Sequence, residues 1–223
     1  MQRVKVAVVE DHTLFAESLV LALGLEGYDV RRVPLGEPGR DISTLLPSIL
    51  RSGPRVVLLD LDLGRHGNGA RLVEPLTRSG TAVLVVTGNT DLSRWGEVLA
   101  HGAKKVLPKS APLNDIAANI RKVSQGLPVM DREERSELLR TWHAEQAAVH
   151  DARSKLERLT RRESEVLAHF LEGHQVKEIA RLSVVSEATV RTQVKSILAK
   201  LEVSSQIAAV GLARRARWVP PGT

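Results

Sequence analysis

A chain of 223 residues exceeds one typical domain and predicts two, and 43% hydrophobic with 26% charged residues is the mix of a globular protein able to bury a real core. The absence of cysteine excludes disulfides, thiolate catalysis and thiolate metal sites. Apolar runs of roughly five residues at most, such as Leu19–Leu23 and Ala82–Val86, exclude a bilayer-spanning helix, which needs about 20, and no membrane partner is expected. The formal charge of +6 is uneven: residues 155–217 hold twelve Lys or Arg against seven Asp or Glu, whereas residues 1–154 hold twenty against nineteen. The basic excess therefore lies in the last third, which leaves open a polyanion partner or a merely solvated basic face.

The N-terminus enters a strand pattern at once, with no apolar leader, and this predicts a cytoplasmic chain. Short apolar runs at Val4–Val9, Asp29–Val33, Val56–Leu59, Ala82–Val86 and Lys105–Leu107 predict strands. Helical patterns fill the gaps at Thr13–Leu25, Ile42–Leu50, Gly69–Arg78, Leu92–His101 and Leu113–Ser124. Five such strand–helix units predict a doubly wound, five-stranded parallel sheet of the flavodoxin-like kind, joined by right-handed crossovers.

The composition shifts after Gly126-Leu127-Pro128. From Asp131 to about Leu156, the residues Leu138, Trp142, Val149, Ala152 and Leu156 recur at helical steps, interrupted by Glu145, and predict an amphipathic linker helix. Its stripe suits either its own N-terminal domain or a seam with a second chain. Beyond Leu159 the pattern is all helical. Thr160 and Glu163 form a capping box, Val166, Leu167 and Phe170 give the first helix its buried face, and Gly173 ends it. A short helix Val176–Leu182, a turn at Ser183-Val184-Val185, a helix capped by Ser186 with Val190, Val194, Ile197, Leu198 and Leu201 inward, and a fourth from Gln206 to about Arg217 complete an all-α domain. The expected division is 1–126, a helical linker 127–155, a second domain 156–217 and a tail 218–223.

Glu10-Asp11, Asp60, Thr87 and Lys109 follow the C-terminal ends of the first, third, fourth and fifth strands. In a parallel sheet all those ends lie on one edge, so residues far apart in sequence converge on one cleft. Carboxylates crowded together repel, and a hard divalent cation relieves the repulsion; oxygen ligands suit magnesium better than zinc. Asp60 beside such a cation is a nucleophile for phosphorus, with Lys109 to neutralise phosphoryl charge and the Thr87 hydroxyl to bond one of its oxygens. The seven histidines, His12, His66, His101, His143, His150, His169 and His174, show no ligand spacing and read as mostly surface residues. Whether His12, next to the acidic pair, touches the cleft is open.

On these residues, the segment 3–125 resembles the receiver domain of two-component response regulators. The resemblance implies that Glu10, Asp11 and the backbone carbonyl of Asp62 hold magnesium together with Asp60. It also implies that Asp60 accepts phosphate from a sensor histidine kinase, and that Thr87 and Lys109 are the switch residues. The chain departs from the family pattern at several places. Gly64-Arg65 replace the usual Pro-Gly, and the loop to Asn68-Gly69 is one residue longer. Gly88 follows Thr87, Val106 stands where an aromatic residue is usual, and proline precedes rather than follows the lysine, in Pro108-Lys109-Ser110.

The run Leu159-Thr-Arg-Arg-Glu-Ser-Glu-Val-Leu167, then Lys177-Glu-Ile-Ala180, Ser186 to Leu198 and Lys200-Leu201, is similar to the LuxR-type helix-turn-helix domain, and with the receiver resembles the NarL/FixJ class. With Val190, Val194 and Ile197 inward, the outer face of that helix offers Arg191, Thr192 and Lys195 for base readout. Gln175, Lys177, Thr189 and Lys200 lie better for phosphates. Gln193 stands where the family commonly has His, and Gln175-Val176 where it has Ser or Thr then Asn. With one Tyr and two Phe in the chain, a stacking platform for single strands is not expected, and the resemblance implies double-stranded promoter DNA as the partner. Useful affinity calls for two half-sites and a homodimer. The resemblance implies pairing through Gln206, Ile207 and Val210.

Three functions remain open from the sequence. The first is a transcription regulator controlled by phosphorylation of Asp60, which is not an enzyme beyond its own phosphoryl transfer and hydrolysis. The second is a DNA-binding regulator whose receiver serves as a phosphorylation-independent dimerisation or ligand-sensing module. The third is a magnesium-dependent phosphotransferase or phosphatase, for which the sequence supplies no substrate pocket or dedicated general acid.

Overall fold

The computed structural model describes residues 3–37, 39 and 41–220. They form two units that meet along the chain between His143 and Ala144.

The first unit is a five-stranded sheet in the order β2-β1-β3-β4-β5, with β1 Lys5–Val9, β2 Asp29–Arg32, β3 Val56–Leu59, β4 Ala82–Thr87 and β5 Lys105–Pro108. Every pairing is parallel. β3 occupies the centre, so all four of its residues are buried, as its unbroken Val-Val-Leu-Leu demands. Side-chain alternation sends Val56 and Leu58 to one face, where they pack with Leu19 and Leu23 of α1 (Thr13–Leu25) and Ile116 and Ile120 of α5 (Leu113–Ser124). Val57 and Leu59 go to the other face. There they meet Ile49 of α2 (Leu46–Arg51), Leu72 and Leu76 of α3 (Ala70–Arg78), and Val98 and Leu99 of α4 (Leu92–Ala100).

The expected helix Ile42–Leu50 is in fact two pieces, a 3₁₀ turn Ile42–Leu45 followed by α2. Proline explains the split. Pro47 has no N–H to close an α-helical bond onto the Ser43 carbonyl, which accepts instead from the Leu46 N–H.

Helix α6 runs from Arg132 to Glu157, and its apolar stripe is divided between two cores. Leu138 is buried with the α2–α3–α4 layer, whereas Ala152 and Leu156 are buried in the second unit. On the first unit α6 approaches α4 so closely that a Cβ on Gly96 would lie 2.2 Å from the Leu138 carbonyl oxygen and 2.7 Å from Trp142 Cβ. The Arg135 guanidinium donates to the Leu99 and Ala103 carbonyls at 2.8 and 3.2 Å, capping the open end of α4.

The second unit packs the end of α6 with α7 Arg161–Leu171, α8 Val176–Leu182, α9 Glu187–Leu201 and α10 Gln206–Arg215. Val190, Val194, Ile197 and Leu201 of α9 face inward, as their spacing requires. The capping box forms, with Thr160 N–H donating to Glu163 Oε2 at 2.7 Å. No single helix among the described residues is long and apolar enough to cross a membrane.

Candidate functional site

The tips of β1, β3 and β5 bring the acidic cleft together. Glu10 and Asp60 are each 2% exposed, and Asp11 beside them is partly open. The ligand atoms of Glu10, Asp11, His12 and Asp60 all lie within 4.8 Å of one another. The loop after β5 swings Lys109 across the cleft, so that its ammonium donates to Glu10 Oε1 at 2.8 Å and stands 2.7 Å from Asp60 Oδ2. Phe15 of α1 lies under that ammonium, its ring centroid 5.4 Å away. Burial by itself would lower the Lys109 pKa, but the Asp60 and Glu10 carboxylates outweigh it and raise it, so the side chain is a fixed positive charge.

His12 does reach the cleft. Its Nδ1 lies 3.0 Å from Glu10 Oε1, 2.9 Å from Asp11 Oδ1 and 3.2 Å from Lys109 Nζ, while most of the ring faces solvent. Thr87, wholly buried at the end of β4, accepts a hydrogen bond from Asn89 N–H at 3.1 Å, and its hydroxyl proton is left to donate elsewhere. The backbone N–H of Asp62 donates to Asp60 Oδ1 at 3.2 Å. Its carboxylate turns outward to Arg94 at 3.1 Å, and the same guanidinium bonds Asn68 Oδ1 at 3.2 Å. Neither Arg94 nor Phe15 is signalled by the sequence pattern. Both lie within helices, where no strand-end rule points to them.

The segment after Asp60 is tightly built. Gly64 adopts φ +54°, where a Cβ would stand 2.7 Å from Asp11 Oδ2, and a Cβ on Gly69 would collide with the Asp60 carbonyl at 2.0 Å. Glycine at these two positions therefore lets the loop close over the acidic cluster. Val106, at the expected aromatic position, is 5% exposed and packs in the α2–α3–α4 layer. No cis peptide occurs among the described residues.

The donor set fits a hard divalent cation. Asp11 Oδ1 and Asp60 Oδ2 are buried atoms without a hydrogen bond, approached only by His12 Nδ1 at 2.9 Å and Lys109 Nζ at 2.7 Å respectively. Three carboxylates and one ammonium leave a double negative charge for a dication to cancel.

In the second unit α9 presents Arg191, Thr192 and Lys195 to solvent. Arg191 makes only a 3.5 Å ion pair with Glu187, one turn before it. Thr192 Oγ1 donates to the Ala188 carbonyl at 3.1 Å, which consumes its proton. Gln175, Lys177 and Thr189 are exposed at the starts of α8 and α9, and Gln175 N–H donates to Glu178 Oε2 at 2.9 Å. Lys200 is committed further inward, donating to Glu163 Oε2 at 2.6 Å. Glu163 also accepts from Ser196 Oγ at 2.6 Å, so four helix-capping and tertiary donors share one buried carboxylate. Burial would raise its pKa; the bonds from Lys200, Ser196 and Thr160 win and hold it at about 2. On α10, Gln206 and Ile207 are exposed, Ile207 to 86%, and Val210 is half-buried.

Comparison with known proteins agrees with both halves. Residues 6–121 match the response regulator receiver domain, and residues 157–213 match the luxR family of bacterial regulatory proteins. The chain is 26% identical over 215 residues to the transcriptional regulatory protein DesR of Bacillus subtilis, an alignment covering 96% of this chain and 98% of that one. It is 29% identical over 217 residues to the probable transcriptional regulatory protein NarL of Mycobacterium tuberculosis, covering 97% and 96%. Among solved structures, that of the response regulator RcsB in complex with DNA shares the fold, with a TM-score of 0.50 at 23% identity over 96% of this chain and 99% of that one. Since the receiver match alone spans more than half of the chain and the luxR match follows it in the second unit, this protein belongs to the response regulators that join a receiver domain to a luxR-family DNA-binding domain, a transcription regulator whose receiver implies control by phosphorylation.

Proposed function

We propose that Asp60 is the phosphoacceptor, that a sensor histidine kinase supplies the phosphoryl group, and that the modification controls binding of a homodimer to promoter DNA. The observation that carries this reading is the Asp60 carboxylate, buried at the tip of the central strand with Oδ2 2.7 Å from an ammonium that also bonds Glu10. As the Asp60 oxygen bonds to phosphorus, the phosphohistidine nitrogen leaves. Lys109 holds positive charge beside the incoming phosphoryl oxygens, and the Thr87 hydroxyl proton is free to donate to one of them. Glu10, Asp11, Asp60 and the Asp62 carbonyl would hold magnesium, which when bound supplies charge neutralisation at the transferred group.

For DNA, Arg191 and Lys195 are assigned to guanine edges. Thr192, whose proton is spent on Ala188, is assigned to a thymine methyl. Gln175, Lys177 and Thr189 are assigned to phosphates, as is Lys200 through the ammonium protons that remain beyond its bond to Glu163. Gln206, Ile207 and Val210 pair the two copies, a role that the 86% exposure of Ile207 supports. Functionally the chain divides into a receiver 1–126, a linker 127–155, a DNA-binding domain 156–217 and a tail 218–223, of which 221–223 lie outside the described residues.

Incubation with a small phosphodonor and magnesium tests this. One phosphoryl group should appear by mass in the wild type and not in Asp60→Ala, with a matching gain or loss of promoter affinity in the wild type alone. The buried Val106 favours a second reading, since this position has no aromatic ring to swing between core and surface. On that reading the receiver serves dimerisation or ligand sensing without phosphate. Absence of an acyl phosphate with undiminished DNA binding would select it.

A further inference from the structure

The C-terminus of α7 carries a chelating group that neither the receiver site nor the DNA-contact assignments use. His169, Glu172 and His174 each offer one ligand atom, all within 4.8 Å of one another. His169 Nδ1 is 3.3 Å and His174 Nδ1 3.2 Å from the same oxygen, Glu172 Oε2. Four ligands placed tetrahedrally at about 2.0–2.1 Å from a zinc ion stand about 3.3 Å apart, so both separations match one edge of such a site. His174 Nδ1 is a buried atom that makes no hydrogen bond among the described residues, its contact being the one to Glu172 Oε2.

The backbone explains why residues spaced three and five apart converge. His174 N–H donates to the His169 carbonyl at 3.0 Å and Gly173 N–H to the Phe170 carbonyl at 3.1 Å, with Gly173 at φ +90°. This is a Schellman turn, which folds the third residue beyond the last helical one back onto the third residue from the helix end. Those two positions, normally filled by an apolar pair, are both histidine here, and their rings meet edge to face at 5.3 Å. The linear spacing of these histidines gives no sign of this; it is the turn that brings them to one carboxylate. The charge argument points the same way. Glu172 puts a carboxylate at the negative end of the α7 dipole, where a cation is favoured.

We propose that His169, Glu172 and His174 bind a divalent ion of the zinc class, two imidazoles and one carboxylate leaving a fourth position for water. Imidazole nitrogen selects zinc over the magnesium that suits an all-oxygen cleft. The ion ties the end of α7 to the turn that leads into α8. A consequence, which rests on the DNA-contact reading, is that it stiffens and charges the segment presenting Gln175 and Lys177, raising DNA affinity.

The test uses the full chain carrying Asp11→Asn and Asp60→Asn, so that the acidic cleft does not compete. One equivalent of Zn2+ should be held against a chromophoric chelator, and Co2+ should give the strong visible absorption of four-coordination. Loss of an outer-layer partner of a metal ligand already costs 10–100-fold, so His174→Gln should lower Zn2+ affinity by about 100-fold or more. Glu172→Gln, at an exposed position, serves where a histidine variant does not fold. Absence of zinc uptake, a weak six-coordinate Co2+ spectrum, or uptake unchanged in both variants overturns the site. Uptake at this site without a zinc-dependent gain in DNA affinity overturns the consequence alone.

Discussion

Replacing Glu163 by Gln removes the one charge on which Thr160, Ser196 and Lys200 converge. The residue is 6% exposed, but the Lys200 ammonium that pairs with it is a third exposed, so solvent screens part of the interaction and the stability worked from it is an upper value. Its pKa falls from the ordinary 4.5 to about 2 in the folded chain. At 1.36 kcal/mol for each pH unit, that drop amounts to about 3 kcal/mol of stability for the second unit. The sign follows from the direction. A carboxyl depressed by folding contributes in full above its unfolded value, so the stabilisation is present above about pH 5 and disappears as pH falls toward 2. Urea unfolding followed by Trp218, with Trp95 and Trp142 replaced by Phe, reports on the second unit, where Trp218 packs against the core. Glu163→Gln should be less stable than the parent by about 2–3 kcal/mol at pH 7, with the gap closing between pH 5 and pH 2. Two curves that run parallel across that range would refute the linkage, because the variant would then differ for reasons other than the carboxylate charge.

Two further outcomes follow from packing and from the basic face. Gly96→Ala forces a methyl against the Leu138 carbonyl and Trp142 Cβ, both rigid, so it should cost about 1–3 kcal/mol and shift Trp142 emission to the red as α6 lifts from α4. An unchanged urea midpoint and spectrum would show that α6 does not seat there in solution. On DNA, Lys195→Ala should weaken binding by about 1–3 kcal/mol and relax base preference at one position, whereas Lys177→Ala should weaken all sequences alike and reduce the salt slope by about 1. A competition assay over randomised sites at two salt concentrations separates them, and the reverse pattern would exchange the two assignments.

Much of this architecture is legible in local pattern. The run Val56–Leu59 ending on Asp60 states a strand buried on both faces with a polar tip, and the parallel rule then places Glu10, Asp11, Thr87 and Lys109 on the same edge. The Thr160–Glu163 capping box and the inward face of α9 are likewise local signals, set by hydrogen bonds and periodicities within a few residues. The helix at Ile42–Leu50 went astray because the apolar period passes through Pro47, whose missing N–H outweighs it.

What only the tertiary structure decided are contacts between residues that share no period. The stripe of α6 keeps helical steps on both sides of Glu145, yet Leu138 enters one core and Leu156 another. Glu163 gains Ser196 and Lys200 from a helix more than 30 residues away, which turns a cap into a buried charge cluster. His12 joins Lys109 in the acidic cleft, and Arg94 ties down the loop after Asp60 from outside it, both through side-chain reach across elements. His169 and His174, by contrast, meet locally, because the left-handed Gly173 that ends α7 reverses the chain between them. For Glu163 and His12 the physical reason is the same: hydrophobic period and strand order determine which element lies where, whereas the partners of a polar side chain depend on which neighbouring element closes over it, and that follows from packing.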